Sequence, residues 1–122
     1  AKDKVAYATL RANGPCGGTG SILAVYDITN ITAPVQRSSV PVSEPYGLGY
    51  AGNTLYVCDK AQGLMVFDIS KPYEPLLIKS LRDGDYMDVI PYGNLLICWV
   101  ANGMLLYDIT QTDNPQLLTR IL

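Results

Sequence analysis

The 122 residues carry nine Lys+Arg against eleven Asp+Glu, a formal charge of −2, and the basic residues are scattered, so no basic stripe exists to grip a nucleic-acid backbone. Hydrophobic residues make up 48% of the chain, enough to bury a core, and no stretch reaches the roughly 18 apolar residues of a membrane span. Histidine is absent, which removes the commonest general base, the Ser-His-Asp and Cys-His arrangements and histidine-ligated metal sites from this chain.

In chain order, residues 1–4 precede the first strand pattern, with neither an initiating methionine nor a signal sequence, and the chain reads as a processed or truncated piece. The strand pattern around Tyr7 leads into a glycine-rich insertion, residues 11–20, which belongs on the surface. An apolar run then closes on Asp27-Ile28-Thr29, followed by Pro34. The second unit, 44–83, is complete. Its strand candidates are Tyr46–Tyr50, Thr54–Asp59, Leu64–Ile69 and Leu76–Leu81, separated by segments rich in residues that accept turn dihedrals. The third unit, 84–122, repeats the plan with Tyr86–Pro91, Leu95–Val100, Met104–Ile109 and Gln116–Ile121.

The units are copies in register. Asp27, Asp68 and Asp108 follow one another at intervals of 41 and 40, and so do Pro34, Pro75 and Pro115. Four short antiparallel strands per unit of about 40 residues make one propeller blade. Nearly continuous apolar runs such as Leu64-Met65-Val66-Phe67 need cover on both faces, which neighbouring blades supply. The expected fold is therefore all-β: a single propeller segment of about three blades, 1–43, 44–83 and 84–122, the first without its inner strand and the ring incomplete in one chain.

Val25-Tyr26-Asp27-Ile28, Val66-Phe67-Asp68-Ile69 and Leu106-Tyr107-Asp108-Ile109, each with its downstream proline, resemble the LVIVD-repeat family of bacterial β-propellers. The strand from Gly52 to Val57 and the turn at Gly63-Leu64 resemble that family's second strand and tight turn. The resemblance covers almost the whole chain. It implies a propeller of a cell-envelope or surface lipoprotein, surface-exposed, periplasmic or secreted, with no single established activity.

The repeated Asp-Ile-Ser/Thr gives Asp27, Asp68 and Asp108 a structural task, accepting hydrogen bonds from the turn that follows. Asp83-Gly84-Asp85 with Asp88 lacks the further ligands of a calcium loop, and Gly17-Gly18-Thr19-Gly20 lacks the Lys-Ser/Thr of a phosphate loop. Neither a metal nor a cofactor is expected. Cys58 and Cys98 fall at one repeat position by the 40-residue period and read as small core residues, while Cys16 lies in the insertion.

In a four-stranded blade, the turn between the second and third strands emerges on the same face as the link to the next blade. That face collects Arg11, Asn13, Glu44, Tyr46, Asp59, Lys60, Arg82, Asp85, Tyr86, Trp99 and Asn102 as candidate ligand-binding residues. Asp59 and Trp99 share a repeat position by the same period yet differ sharply, which marks departure from the common scaffold. Trp99, Tyr46 and Tyr86 also suit packing between blades. Aromatic rings beside carboxylates and amides suit a glycan or peptide ligand.

The leading functional expectation is a non-enzymatic binding or scaffolding module. The alternatives are a carbohydrate-active or other hydrolytic enzyme using carboxylates on that face, and a purely structural assembly unit. An open segment exposes apolar flanks and strand edges, so a homodimer or a companion propeller fragment is expected to complete the ring.

Overall fold

Glycine, asparagine and proline punctuate the chain, and between them the computed structural model, which describes residues 4–10 and 21–121, folds into eleven antiparallel strands. The strands are β1 (Val5–Leu10), β2 (Ile22–Asp27), β3 (Val35–Pro41), β4 (Pro45–Ala51), β5 (Thr54–Asp59) and β6 (Gly63–Asp68). They continue as β7 (Leu76–Leu81), β8 (Tyr86–Tyr92), β9 (Leu95–Val100), β10 (Gly103–Asp108) and β11 (Gln116–Ile121). Three sheets result, in the orders β1-β2-β3, β4-β5-β6-β7 and β8-β9-β10-β11. Each sheet is a meander whose sequence neighbours pair, as expected for propeller blades. We call them blades 1, 2 and 3. Among the described residues no helix forms and no ring closes.

The same local physics shapes each blade. The third strand ends at the repeated aspartate. The isoleucine after it donates its amide back to the residue preceding the second strand: Ile28 to Lys4, Ile69 to Asn53 and Ile109 to Asn94, at 2.8–2.9 Å. The pairing of third and fourth strands shifts register at one equivalent point in every blade, between Val25 and Tyr26, Val66 and Phe67, and Leu106 and Tyr107. Such a bulge sharpens the twist of the outer strand. At the blade 2 hairpin, Gly63 sits at φ +85°, and a Cβ there would overlap the Leu81 carbonyl, so no other residue fits.

Two apolar clusters lie between the blades. Leu55, Val57, Met65 and Phe67 of blade 2 meet Leu23 and Tyr7 of blade 1. Tyr56, Cys58, Leu64 and Val66, from the opposite face of the same strands, meet Leu96, Cys98, Val100, Leu105 and Tyr107 of blade 3. Polar latches flank these clusters. The Tyr7 hydroxyl donates to the Pro72 carbonyl at 2.9 Å, and its counterpart Tyr56 donates to the Thr112 carbonyl at 2.6 Å. Ser38 reaches the Tyr73 carbonyl at 2.6 Å, and Lys79 reaches Asn114 Oδ1 at 2.8 Å.

Strand pairing corrects two equivalences drawn from the 40-residue period. Thr54 pairs with Asp68 and Leu95 with Asp108, so counting outward makes Cys58 equivalent to Trp99, and Asp59 equivalent to Val100. The offset lies in the hairpin: Lys60, Ala61 and Gln62 bridge β5 and β6, whereas only Ala101 and Asn102 bridge β9 and β10. Because side chains alternate along a strand, one residue changes the face. Cys58 therefore points from blade 2 toward blade 3, and Cys98 from blade 3 toward blade 2. Both are free thiols buried in the shared cluster, and burial pushes Cys98 up to about 12 and Cys58 higher still.

Candidate ligand-binding cleft

The repeated aspartates hold the turns into the outer strands. Asp27 Oδ1 accepts the amide and hydroxyl of Thr29 at 2.9 and 2.6 Å. Asp68 takes those of Ser70 at 2.8 and 2.6 Å, and Asp108 those of Thr110 at 2.8 and 2.7 Å. Hydrogen bonds to the charged form, the hydroxyl's first, draw all three carboxyls below the ordinary 3.8. These groups sit on the face opposite the links between blades.

On the link face, blades 2 and 3 use different devices at equivalent places. In blade 2, Asp59 is fully buried and its carboxylate accepts four backbone amides. Oδ2 takes Ser43 and Glu44 at 2.8 and 3.1 Å, and Oδ1 takes Ala61 and Gln62 at 2.9 and 3.0 Å. The link entering the blade is thus stapled to its hairpin. The expectation of Asp59 as a ligand contact is corrected: its lone pairs are spent on the backbone, and it positions the loops. In blade 3, Val100 stands in that place and accepts nothing. Between the link 82–85 and the hairpin 101–102 lies a cleft of 560 Å³, lined by Arg82, Asp83, Gly84, Asp85, Val100, Ala101, Asn102, Leu105 and Arg120.

Beside it, a smaller hollow of 270 Å³ is lined by Tyr46, Lys60, Asp85, Tyr86, Met87 and Ala101, with Asp85 and Ala101 common to both. Arg82 leans over the blade 2 hairpin, its guanidinium 3.4 Å from the Ala61 carbonyl and 3.5 Å from Gln62 Oε1. Arg120 Nη1 donates to the Asp83 carbonyl at 3.3 Å, and Nη2 lies 4.0 Å from its carboxylate. The Tyr107 hydroxyl donates to Asp83 Oδ2 at 3.2 Å and shares a 2.5 Å hydrogen bond with the Tyr86 hydroxyl. Burial first, then the carboxylate of Asp83, pushes Tyr86 up to about 12, and Tyr107 is raised further. Both phenols are neutral at ordinary pH; Tyr86 lines the smaller hollow, and Tyr107 ties it to Asp83 of the cleft through hydrogen bonds.

Residues 49–83, the body of blade 2, match the LVIVD repeat family. The chain carries an LVIVD repeat. Blades 1 and 3 repeat the pairing, the bulge and the turn aspartate of that LVIVD unit. No curated protein matches the chain.

Against this LVIVD framework, the candidate residues separate. Arg82, Asp85 and Asn102 converge on the large cleft, and Tyr46, Lys60, Asp85 and Tyr86 on the adjoining hollow. Glu44 is exposed on the preceding link, its carbonyl accepting the Lys60 amide at 2.9 Å. Arg11 and Asn13 lie outside the described residues. Trp99 leaves the site: it stands on the flank of blade 3 facing away from blade 2, 47% exposed. Arg120 joins the cleft without having been a candidate, because it comes from an outer strand that the face argument did not reach. Asp83, on the link that the face argument includes, lines the same cleft. Among the described residues, no group of three or more His, Cys, Asp or Glu side chains converges to hold a metal. No helix among them is long and apolar enough to cross a membrane.

Proposed function

We propose that this chain is a non-enzymatic binding or scaffolding module, part of an LVIVD-type propeller. The link-face cleft of blade 3 receives a polar ligand of the glycan or peptide class, and a second copy or a companion fragment completes the ring. A bacterial envelope or secreted setting belongs to the proposal and rests on the family resemblance alone. The observation that carries the binding reading is the convergence of guanidinium, carboxylate and amide groups at Arg82, Asp85 and Asn102, in the link and hairpin beside the strand ends, where blade 3 departs from the Asp59 staple. Directed polar groups on a scaffold of short hairpins suit recognition of a hydroxyl- or amide-rich surface.

Glycan and peptide arrays test this. Asp85→Ala and Asn102→Ala are expected to lower the signal on the best ligand about tenfold each, the effect of losing one well-made polar contact. Lys71→Ala, in an exposed turn on the opposite face, leaves it unchanged. Absence of array binding, or equal sensitivity at Lys71, overturns the reading.

A further inference from the structure

Blade 2 captures a carboxylate of its own chain. Asp59 Oδ2 takes the amides of Ser43 and Glu44 from the link, and Oδ1 those of Ala61 and Gln62 from the hairpin. Strand pairing sets Tyr86 against Val100 as it sets Pro45 against Asp59, and the Ala101 amide donates to the Asp85 carbonyl as the Lys60 amide does to that of Glu44. Gly84 and Asp85 therefore stand where Ser43 and Glu44 do, and Asn102 stands where Ala61 does. The amides of these three residues find no acceptor among the described residues, because Val100 has no side-chain oxygen to offer them. A Cβ on Gly84 would lie 3.1 Å from Val100 Cγ1, so the valine packs directly against the link and the space for a ligand lies beside it in the cleft. Backbone N–H groups gathered without an acceptor on two sides of a cleft favour an anion there.

The side-chain charges suit the same occupant. The cleft and the adjoining hollow together hold Arg82, Arg120 and Lys60 against Asp83 and Asp85, an excess of one positive charge. Asp83 is engaged with the Tyr107 hydroxyl and Arg120. The guanidinium hydrogen bonds are long, 3.4 and 3.5 Å for Arg82 and 3.3 Å for Arg120, and leave donors for a carboxylate. We propose that the cleft takes an aspartate or glutamate side chain of a peptide, its carboxylate seated between the link and hairpin amides and facing Arg82 and Arg120. Among the described residues the cleft lining includes no aromatic ring for a sugar face to lie on, which selects a peptide over an acidic sugar. The Asp85 carboxylate, common to the cleft and the hollow, accepts a backbone N–H of the same peptide, in keeping with the loss expected from Asp85→Ala. This rests on the binding reading above and narrows its ligand to an acidic peptide.

Amide NMR of the isotope-labelled chain tests this with three probes: the capped peptide acetyl-Gly-Asp-Gly-amide, its asparaginyl counterpart, and glucuronate. The aspartyl peptide is expected to move the amide resonances of Gly84, Asp85 and Asn102. Those of Ser43, Glu44, Ala61 and Gln62, already held by Asp59, are expected to stay in place. The asparaginyl peptide and glucuronate should each bind about tenfold more weakly. Arg120→Gln should weaken the aspartyl peptide about tenfold, the effect of losing one charge-assisted contact, and Arg82→Gln, at an exposed position on the link, should do the same. Equal binding of the aspartyl and asparaginyl peptides, or movement of the blade 2 amides in place of those of blade 3, overturns the carboxylate site, while array binding that still depends on Asn102 leaves the broader reading standing. Glucuronate that binds as tightly as the aspartyl peptide overturns the peptide assignment. Cleft resonances that respond to no probe, together with no array binding, overturn both.

Discussion

Blades 2 and 3 are built on one repeat, yet their second strands live in different surroundings. Every residue of β5 is buried, whereas β9 alternates, with Leu96, Cys98 and Val100 buried and Trp99 exposed. Residue type does not explain the difference, since β9 is at least as apolar as β5. The cause is position: β5 lies in the middle sheet, with clusters on both faces, while β9 has a described neighbour on one face only. Burial in a repeat array is conferred by the neighbour more than by the unit, because each unit leaves two apolar flanks that it cannot cover itself.

The sharpest way to break the comparison is a matched truncation. Leu64→Ala removes a fully buried side chain and is expected to destabilise the chain by about 3 kcal/mol in urea unfolding. Met104→Ala, at the equivalent place on the open flank of blade 3, is expected to cost about 1 kcal/mol, because a half-buried site leaves a smaller cavity. Equal losses would mean that the flank of blade 3 is covered in solution. In that case the loss at Met104 should shrink on dilution if a second copy provides the cover.

A second contrast concerns the hairpins. Asp59→Ala strips four amides of their acceptor and is expected to cost on the order of 2–3 kcal/mol by denaturant titration. Asp59→Asn should recover part of this, since the amide oxygen accepts while the NH2 group opposes the donors. Val100→Asp, in blade 3, should recover no stability, because its two-residue hairpin lacks a third amide to be held. A gain there would show that the shorter turn does not distinguish the blades.

The smallest effect should be common to all blades. The folded pKa values of Asp27, Asp68 and Asp108 lie below the ordinary 3.8, so their contribution is fully present above the unfolded pKa and is lost as pH falls through the folded values. The melting temperature is expected to fall modestly below about pH 4. Replacing all three by Asn, which can still accept the turn hydrogen bonds but does not titrate, should flatten that slope. A slope traced to one blade alone would separate units that the structure makes alike.

Much of the architecture was legible because it is local. The repeated aspartate, the turn residues and the short apolar runs placed β5, β7, β9 and β11 at their observed ends, and the turn chemistry at Asp68 needs only residues within two positions of it. The candidate face was legible in outline, since strand direction alone sends Arg82, Asp85 and Asn102 to one end. Two features were not. Asp59 and Trp99 are separated by one residue of hairpin length, which composition and period conceal, and that residue decides which face a side chain takes. Arg120 reaches the cleft from an outer strand, through a contact with Asp83 that spans the blade.

What the sequence by itself determined is the unit: strand, bulge, turn and the carboxylate that caps it, all set by contacts within a few residues or between adjacent strands. What only the tertiary structure decided is the environment of that unit. Strand register turned Asp59 inward as a staple and Trp99 outward on a flank. Blade stacking buried Cys58 and Cys98 from opposite sides of one cluster, and the loss of one acceptor at Val100 accompanied an open cleft. Those outcomes depend on which surfaces meet at long sequence separation, and a repeat that looks the same at each step carries little of that information.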